Sequence, residues 1–503
     1  MEPLEPLAMR PARARAPFPS LLIRAAGFEP RGAFAAAQAS FLEPDPALVS
    51  ELDALLQREQ IGVVAHFYMD AELQGVLSAC RSARVHVADS LQMAEQAVRM
   101  AEQGARAVAV LGVDFMSENV RATLDASGFQ HVPVYRVAEQ AIGCSLAEAA
   151  EAPAYGAYLT RAAQTPRSLH VIYVNTSLRV KARAQRIVPT ITCTSSNVVP
   201  MILQAFAQVP DLHVWFGPDT YMGHNLTNML ARLATLDAAS IARLHPAHTP
   251  ATLASAARRF ACFEQGACVV HHMFGRTVVD QLARDYADAF ITAHLEVPGE
   301  MFALGFEAQR AGRGVVGSTS NILSFIGAEL ERALDAREGQ AARKPLRFVL
   351  GTETGMITSI ARSVRERLQR ARAEGGPELA VEIVFPVASE AVAQTGQEDL
   401  PLIPGLLSGE GCSVEGGCAS CPYMKMNSLD ALLDLLRKLP SASPEVLLRY
   451  APKSYSERID GASVAELGTK SIVRMRELQR SGKLPDELVA EITAPRAQPR
   501  SDH

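Results

Sequence analysis

The residues of this chain best suited to chemistry are cysteines and strand-end polar side chains, and both recur along the sequence. Cys144, Cys268 and the group Cys412, Cys418 and Cys421 are widely spread. Positions 144, 268 and 421 stand 124 and 153 residues apart, so thiols there meet only if three separate units converge. Thiolates are the usual protein ligands of iron–sulfur clusters, and a complete cubane takes four. Three would leave one iron with an open position, able to act as a Lewis acid on a hydroxyl or carboxylate. Zinc is the competing reading, because Cys412, Cys418 and Cys421 could supply part of such a site. Against it, the spacing is not a paired C-x-x-C and no fourth ligand lies nearby.

The polar residues repeat three times. First strands end in Ala65-His66-Phe67-Tyr68, Tyr173-Val174-Asn175 and Ala293-His294-Leu295-Glu296. In each, two polar side chains are separated by one residue. Second strands run into Asp89-Ser90, Cys193-Thr194-Ser195-Ser196-Asn197 and Gly317-Ser318-Thr319-Ser320-Asn321. Third strands end in Gly112-Val113-Asp114, Gly217-Pro218-Asp219 and Gly351-Thr352-Glu353. Such positions are where α/β sheets build sites, because strand carboxyl ends open onto a crevice and helix amino termini offer free N–H groups to anions. Each Ser, Thr or Asp taken singly is equally well a helix cap. The set repeated thrice is better explained by one shared site.

Elements that position these residues follow from periodicity. Val63-Val64-Ala65, Val85-His86-Val87 and Ala107 to Leu111 read as strands, and Leu91, Ala94, Val98 and Ala101 share a helical face that Gly104 closes. Short β-branched runs alternating with helices predict parallel α/β layers. At 503 residues the chain has length for two to four domains. A net charge of −5 without a basic stripe gives no reason to expect nucleic acid. No run approaches the roughly 18 apolar residues of a membrane span, so a soluble protein is expected. Eight cysteines are too sparse for a disulfide scaffold, no secretory signal is evident, and a cytoplasmic location follows. The arginine- and proline-bearing start reads as a disordered extension, an organelle transit peptide being the alternative.

In these motifs the sequence resembles the quinolinate synthase family. The resemblance rests on His66-Phe67-Tyr68, Asp89-Ser90, Tyr173-Val174-Asn175-Thr176-Ser177, Cys193-Thr194-Ser195-Ser196-Asn197, Gly266-Ala267-Cys268-Val269-Val270-His271, Gly317-Ser318-Thr319-Ser320 and Cys421-Pro422-Tyr423-Met424-Lys425-Met426-Asn427. All stand in family order between about Gly62 and Leu436. The resemblance implies three pseudo-symmetric three-layer α/β/α domains with parallel sheets around one oxygen-sensitive 4Fe–4S cluster. Its three ligands would be Cys144, Cys268 and Cys421, with one iron open. The expected division is a disordered extension over 1–48, repeats over 49–165, 166–272 and 273–440, and a helical extension with a disordered tail over 441–503. The activity implied is that of a transferase of NAD biosynthesis, condensing iminoaspartate with dihydroxyacetone phosphate to quinolinate, phosphate and water. L-aspartate oxidase is the expected supplier of the imine.

The same resemblance makes Asp89, Ser90, Tyr173, Asn175, Ser195, His271, Ser318 and Thr319 substrate contacts. Tyr68, His66, His294 and Glu296 are the candidates for proton transfer, with Glu296 and Tyr68 serving the isomerisation and the two histidines orienting substrate oxygens. A carboxylate raised by burial or a histidine near neutrality suits that work. Cys193 matches a position that is not a ligand, and Cys80 and Cys262 read as small packed hydrophobes. One departure is His294-Leu295-Glu296, where the family has proline between the two polar residues. Two other readings stay open: another 4Fe–4S Lewis-acid dehydratase or lyase, and a non-catalytic iron–sulfur sensor.

Overall fold

The computed structural model describes residues 17–336, 344–386 and 421–495. Cys412 and Cys418 lie outside them. The chain enters with an antiparallel pair, β1 (Ser20–Arg24) and β2 (Gly27–Arg31), followed by helices Ala33–Ala39 and Pro46–Glu59. Strands β3 (Ile61–His66), β4 (Val85–Ala88), β5 (Ala107–Leu111) and β6 (Val134–Arg136) form a parallel sheet in the order β4-β3-β5-β6. Strands β7 (Ser168–Tyr173), β8 (Thr190–Cys193), β9 (His213–Gly217) and β10 (Phe260–Cys262) repeat that order as β8-β7-β9-β10. Strands β11 (Phe290–His294), β12 (Gly314–Gly317), β13 (Leu346–Gly351) and β14 (Val381–Val384) repeat it again as β12-β11-β13-β14.

Local sequence explains the elements. In β3 all six residues of Ile-Gly-Val-Val-Ala-His are buried, as expected of a parallel strand covered on both faces. Helix Ser90–Glu102 starts on Asp89, whose carboxylate accepts the N–H groups of Leu91 (3.1 Å) and Gln92 (2.9 Å). Ala94, Val98 and Ala101 bury the expected face, and the chain leaves through Gly104 at φ +82°.

Two expectations, a disordered start and a wholly parallel third sheet, fail at the amino-terminal end of the chain. Residues 17–48 are not a disordered extension, because β1 pairs with β14 and carries the third sheet past its parallel part. That sheet is therefore mixed rather than parallel. Leu21, Leu22 and Ile23 are completely buried. Side chains of this size contribute roughly 1.5–3 kcal/mol each when fully buried, enough to order a short segment. At the other end, helix Val464–Ser481 packs on helix Leu178–Ile187 and β8, and helix Asp486–Thr493 buries Leu488 and Ile492. Residues 496–503 lie outside the described part. No described helix is long and apolar enough to cross a membrane.

Candidate active site

The carboxyl ends of the three first strands deliver His66, Tyr173 and His294, and the turns beyond them deliver Tyr68, Asn175 and Glu296. All six line one small cavity of about 70 Å³. Cys144, Cys268 and Cys421 line the same cavity, as do Asp89, Ser90, Ser195 and Thr319. Helices Ser90–Glu102, Val198–Gln208 and Thr319–Asp335 begin beside these residues, so their amino-terminal dipoles favour an anion there.

Not every expected contact opens into that space. Ser318 is fully buried and caps its helix, donating to Asn321 Oδ1 (2.8 Å) and accepting Asn321 N–H (3.2 Å). His271 is also fully buried and sits behind Glu296, its Nδ1 3.2 Å from Glu296 Oε2. Asp89 spends its carboxylate on the helix cap and on Ser320, whose hydroxyl donates at 2.8 Å. Cys193 ends β8 inside the hydrophobic core, and Cys80 and Cys262 are half-buried thiols away from the cavity wall.

Glu296 is the electrostatic centre. It is only 3 % exposed, and its Oε1 accepts the Tyr173 hydroxyl while His294 Nδ1 stands 3.5 Å away. Burial pushes the carboxyl up, yet His294, His271 and the Tyr173 hydroxyl together outweigh it and hold the group below the ordinary carboxylate range. The expectation of a carboxylate raised by burial is therefore reversed. The histidines also depart from neutrality: burial pulls His66 down to about 3 and His294 to about 4, with Glu296 opposing the fall in both. Both rings are uncharged near neutral pH. In each, Nδ1 accepts a main-chain N–H two residues on, from Tyr68 (3.2 Å) and Glu296 (3.3 Å) respectively. That contact assigns the ring proton to Nε2, leaving each histidine a neutral hydrogen-bond donor. Burial, followed by the Glu296 charge, raises Tyr68 well above a free tyrosine, so its hydroxyl keeps its proton.

Burial raises Cys144 to about 11 and Cys421 to about 12, and it raises Cys268 as well. Cys268 feels the charges of Cys421 and Cys144, and Cys421 feels that of Cys144. Three buried sulfurs without compensating charge stay protonated, whereas a metal group in their midst would favour thiolates. Three soft donors around one cavity fit an iron–sulfur group.

Sequence reasoning passed over Glu353 as a site residue. It is fully buried beyond β13, and its two oxygens accept the Cys421 N–H (2.9 Å) and the Gly355 N–H (3.2 Å). Its neighbour Thr352 stands 3.4 Å from the Tyr68 hydroxyl. The available signal was the acidic residue two places after glycine in each third strand end, Asp114, Asp219 and Glu353. Gln74 carried no such signal. Its side-chain amide donates to Phe67 O (2.7 Å), Met69 O (2.8 Å) and Gly355 O (2.5 Å), tying the His66–Tyr68 turn to the turn beyond β13.

A family profile described as quinolinate synthetase A protein matches residues 50–375. A quinolinate synthase of Nicotiana tabacum, named chloroplastic, is 50% identical over 484 residues, covering 94% of this chain and 67% of the relative. One of Arabidopsis thaliana, also named chloroplastic, is 49% identical over 488 residues, with 95% and 67% covered. The quinolinate synthase of Synechocystis is 24% identical over 404 residues, covering 80% of this chain and 90% of its own length. The expected cytoplasmic location is overturned by these names, since the relatives near 50% identity are called chloroplastic. An arginine-bearing start without a continuous apolar core does not by itself separate the two compartments. With half of the residues shared along nearly its whole length, the chain belongs to the quinolinate synthetase A family.

Proposed function

We propose that this cavity condenses iminoaspartate with dihydroxyacetone phosphate, releasing quinolinate, phosphate and water, as a transferase of NAD biosynthesis. One observation carries the reading: three cysteines far apart in sequence line the same cavity as the polar pairs of three strand ends. We read the repeated strand order as three pseudo-symmetric α/β/α domains, each contributing one thiolate. Cys144, Cys268 and Cys421 would hold an oxygen-sensitive 4Fe–4S cluster. Bound there, the cluster would supply a Lewis-acidic iron with an open position, suited to the departure of a hydroxyl. The three sulfurs do not all fall within 4.8 Å of one another, unlike Cys268, His271 and Glu296, which do. A single tetrahedral zinc holding all three at about 2.3 Å would need them closer, so a larger group fits better.

The chain's own residues do the remaining work. Ser90, Ser195 and Thr319, at helix starts, offer hydroxyls and N–H groups to phosphate and carboxylates without a competing charge. His66 and His294 donate Nε2–H to substrate oxygens. Glu296, ionised and sharing a hydrogen bond with Tyr173, accepts the proton moved in the keto–aldo isomerisation, and Tyr68 returns one from a hydroxyl that stays protonated. Tyr173 and Asn175 orient the substrate, and His271 holds the Glu296 carboxylate from behind. The names of the plant relatives support a plastid location, and L-aspartate oxidase is the supplier of imine this reaction needs. The test is anaerobic purification followed by a quinolinate assay with the two substrates. Product formed only by cluster-loaded protein is expected. A loaded protein that forms none would favour a sensor or a different dehydratase.

A further inference from the structure

The loop after β7 is held from behind by a lysine that the reaction does not use. Lys181 lies in the first turn of helix Leu178–Ile187 and has no solvent exposure. Its ammonium donates to the main-chain carbonyls of Val174 (3.1 Å) and Thr176. Those carbonyls flank Asn175, whose side chain lines the cavity. A fully buried lysine is rare unless its charge is answered. Burial pulls Lys181 down to about 7, and the Glu118 charge opposes that fall. Glu118 is itself buried, and its two oxygens accept Leu178 N–H (2.7 Å) and Ser454 N–H (2.9 Å). Its helix neighbour Asn119 places its amide 3.5 Å from Val174 O.

The two carbonyls differ in what they lose without the ammonium. Val174 O also accepts Thr176 N–H (2.7 Å), so it stays engaged. Thr176 O has Lys181 as its side-chain donor, so the side of the loop after Asn175 is released.

We propose that Lys181 is a positioning residue for Asn175, aiming that amide by gripping the main chain on both sides, and that Glu118 extends the grip to the C-terminal segment through Ser454. The proposal rests on Asn175 being a substrate contact, as read above. It gives the C-terminal segment a part in the site that its sequence does not suggest.

The experiment compares Lys181→Met, Asn175→Ala and the double variant Asn175→Ala/Lys181→Met, all cluster-loaded, for the KM of each substrate and for kcat. Cluster absorbance is recorded alongside. Lys181→Met is expected to raise the KM of one substrate about tenfold with kcat within about twofold and absorbance unchanged. In the Asn175→Ala background it should add almost nothing, because groups acting through one another are not additive. Equal effects in both backgrounds, or an unchanged KM, would overturn the proposal. An Asn175→Ala protein with ordinary KM values would remove Asn175 from the site and take the proposal with it. Should Lys181→Met fold poorly, Glu118→Gln/Lys181→Met removes both buried charges and should restore folding while keeping the raised KM. Restoration of both would mean that Lys181 only balances charge.

Discussion

Alanine at Gly355 should damage activity far more than it damages the fold. A Cβ there would stand 2.7 Å from Phe67 O and 2.7 Å from Tyr68 Cα, and 2.8 Å from Glu353 Oε2. Two of those atoms are main chain of the His66–Tyr68 turn, so no side chain can swing aside to make room. Ordinary contact begins near 3.4 Å, which leaves the turn to retreat by about 0.7 Å. Such overpacking costs roughly 1–3 kcal/mol of stability. A displacement approaching 1 Å in a group that positions substrate costs on the order of 100-fold in rate. The assay is kcat/KM for quinolinate formation beside thermal unfolding of the same preparation. Gly299→Ala, where a Cβ meets nothing within 4 Å, is the control. A Gly355→Ala protein within about threefold of the unsubstituted enzyme would refute the claim that Tyr68 must sit where it does.

Four further outcomes are expected. Glu296→Gln should retain its iron and lose turnover by about 10²–10⁴-fold, the usual worth of a positioned base; ordinary turnover would remove Glu296 from the chemistry. Gly266→Ala sets a Cβ 2.1 Å from Pro218 O and should displace the loop that carries Cys268, lowering iron content measured after anaerobic reconstitution. Cys80→Ala and Cys262→Ala, both outside the cavity wall, should keep full iron and activity in the same measurements. Burial pulls His170 from 6.5 to about 3, so the unfolded chain binds its proton more readily. The stability this gives is complete above pH 6.5 and falls as the pH drops towards 3, by about 1.4 kcal/mol at pH 5.5. Denaturant unfolding of His170→Gln should therefore lose about that much less between pH 7.5 and 5.5.

What could be read from the sequence was the part written in short range. Strand ends such as His66-Phe67-Tyr68 and helix starts such as Asp89-Ser90 are fixed by local periodicity and capping, and the threefold recurrence pointed to one shared place. What escaped depends on distance along the chain. The partner of Leu21 to Ile23 is a strand some 360 residues later, and nothing in an arginine- and proline-rich start announces it. The Glu353 carboxylate receives the Cys421 N–H across 68 residues, and Gln74 reaches Gly355 across 281. Charge also escaped, because an isolated buried glutamate should be raised, and only the positions of His294, His271 and Tyr173 reverse that sign. Ser318 and Asp89 show why sequence alone leaves such residues open: a type suited to binding substrate is equally suited to capping a helix, and both make cap hydrogen bonds here.

The most direct measurement is iron and acid-labile sulfide per chain in anaerobically purified protein, for the unsubstituted chain and for Cys144→Ala, Cys268→Ala and Cys421→Ala. About four irons and four sulfides are expected in the first, and loss of most of both in each variant. Full iron in any one of the three variants, or one zinc per chain in place of iron, would contradict the account.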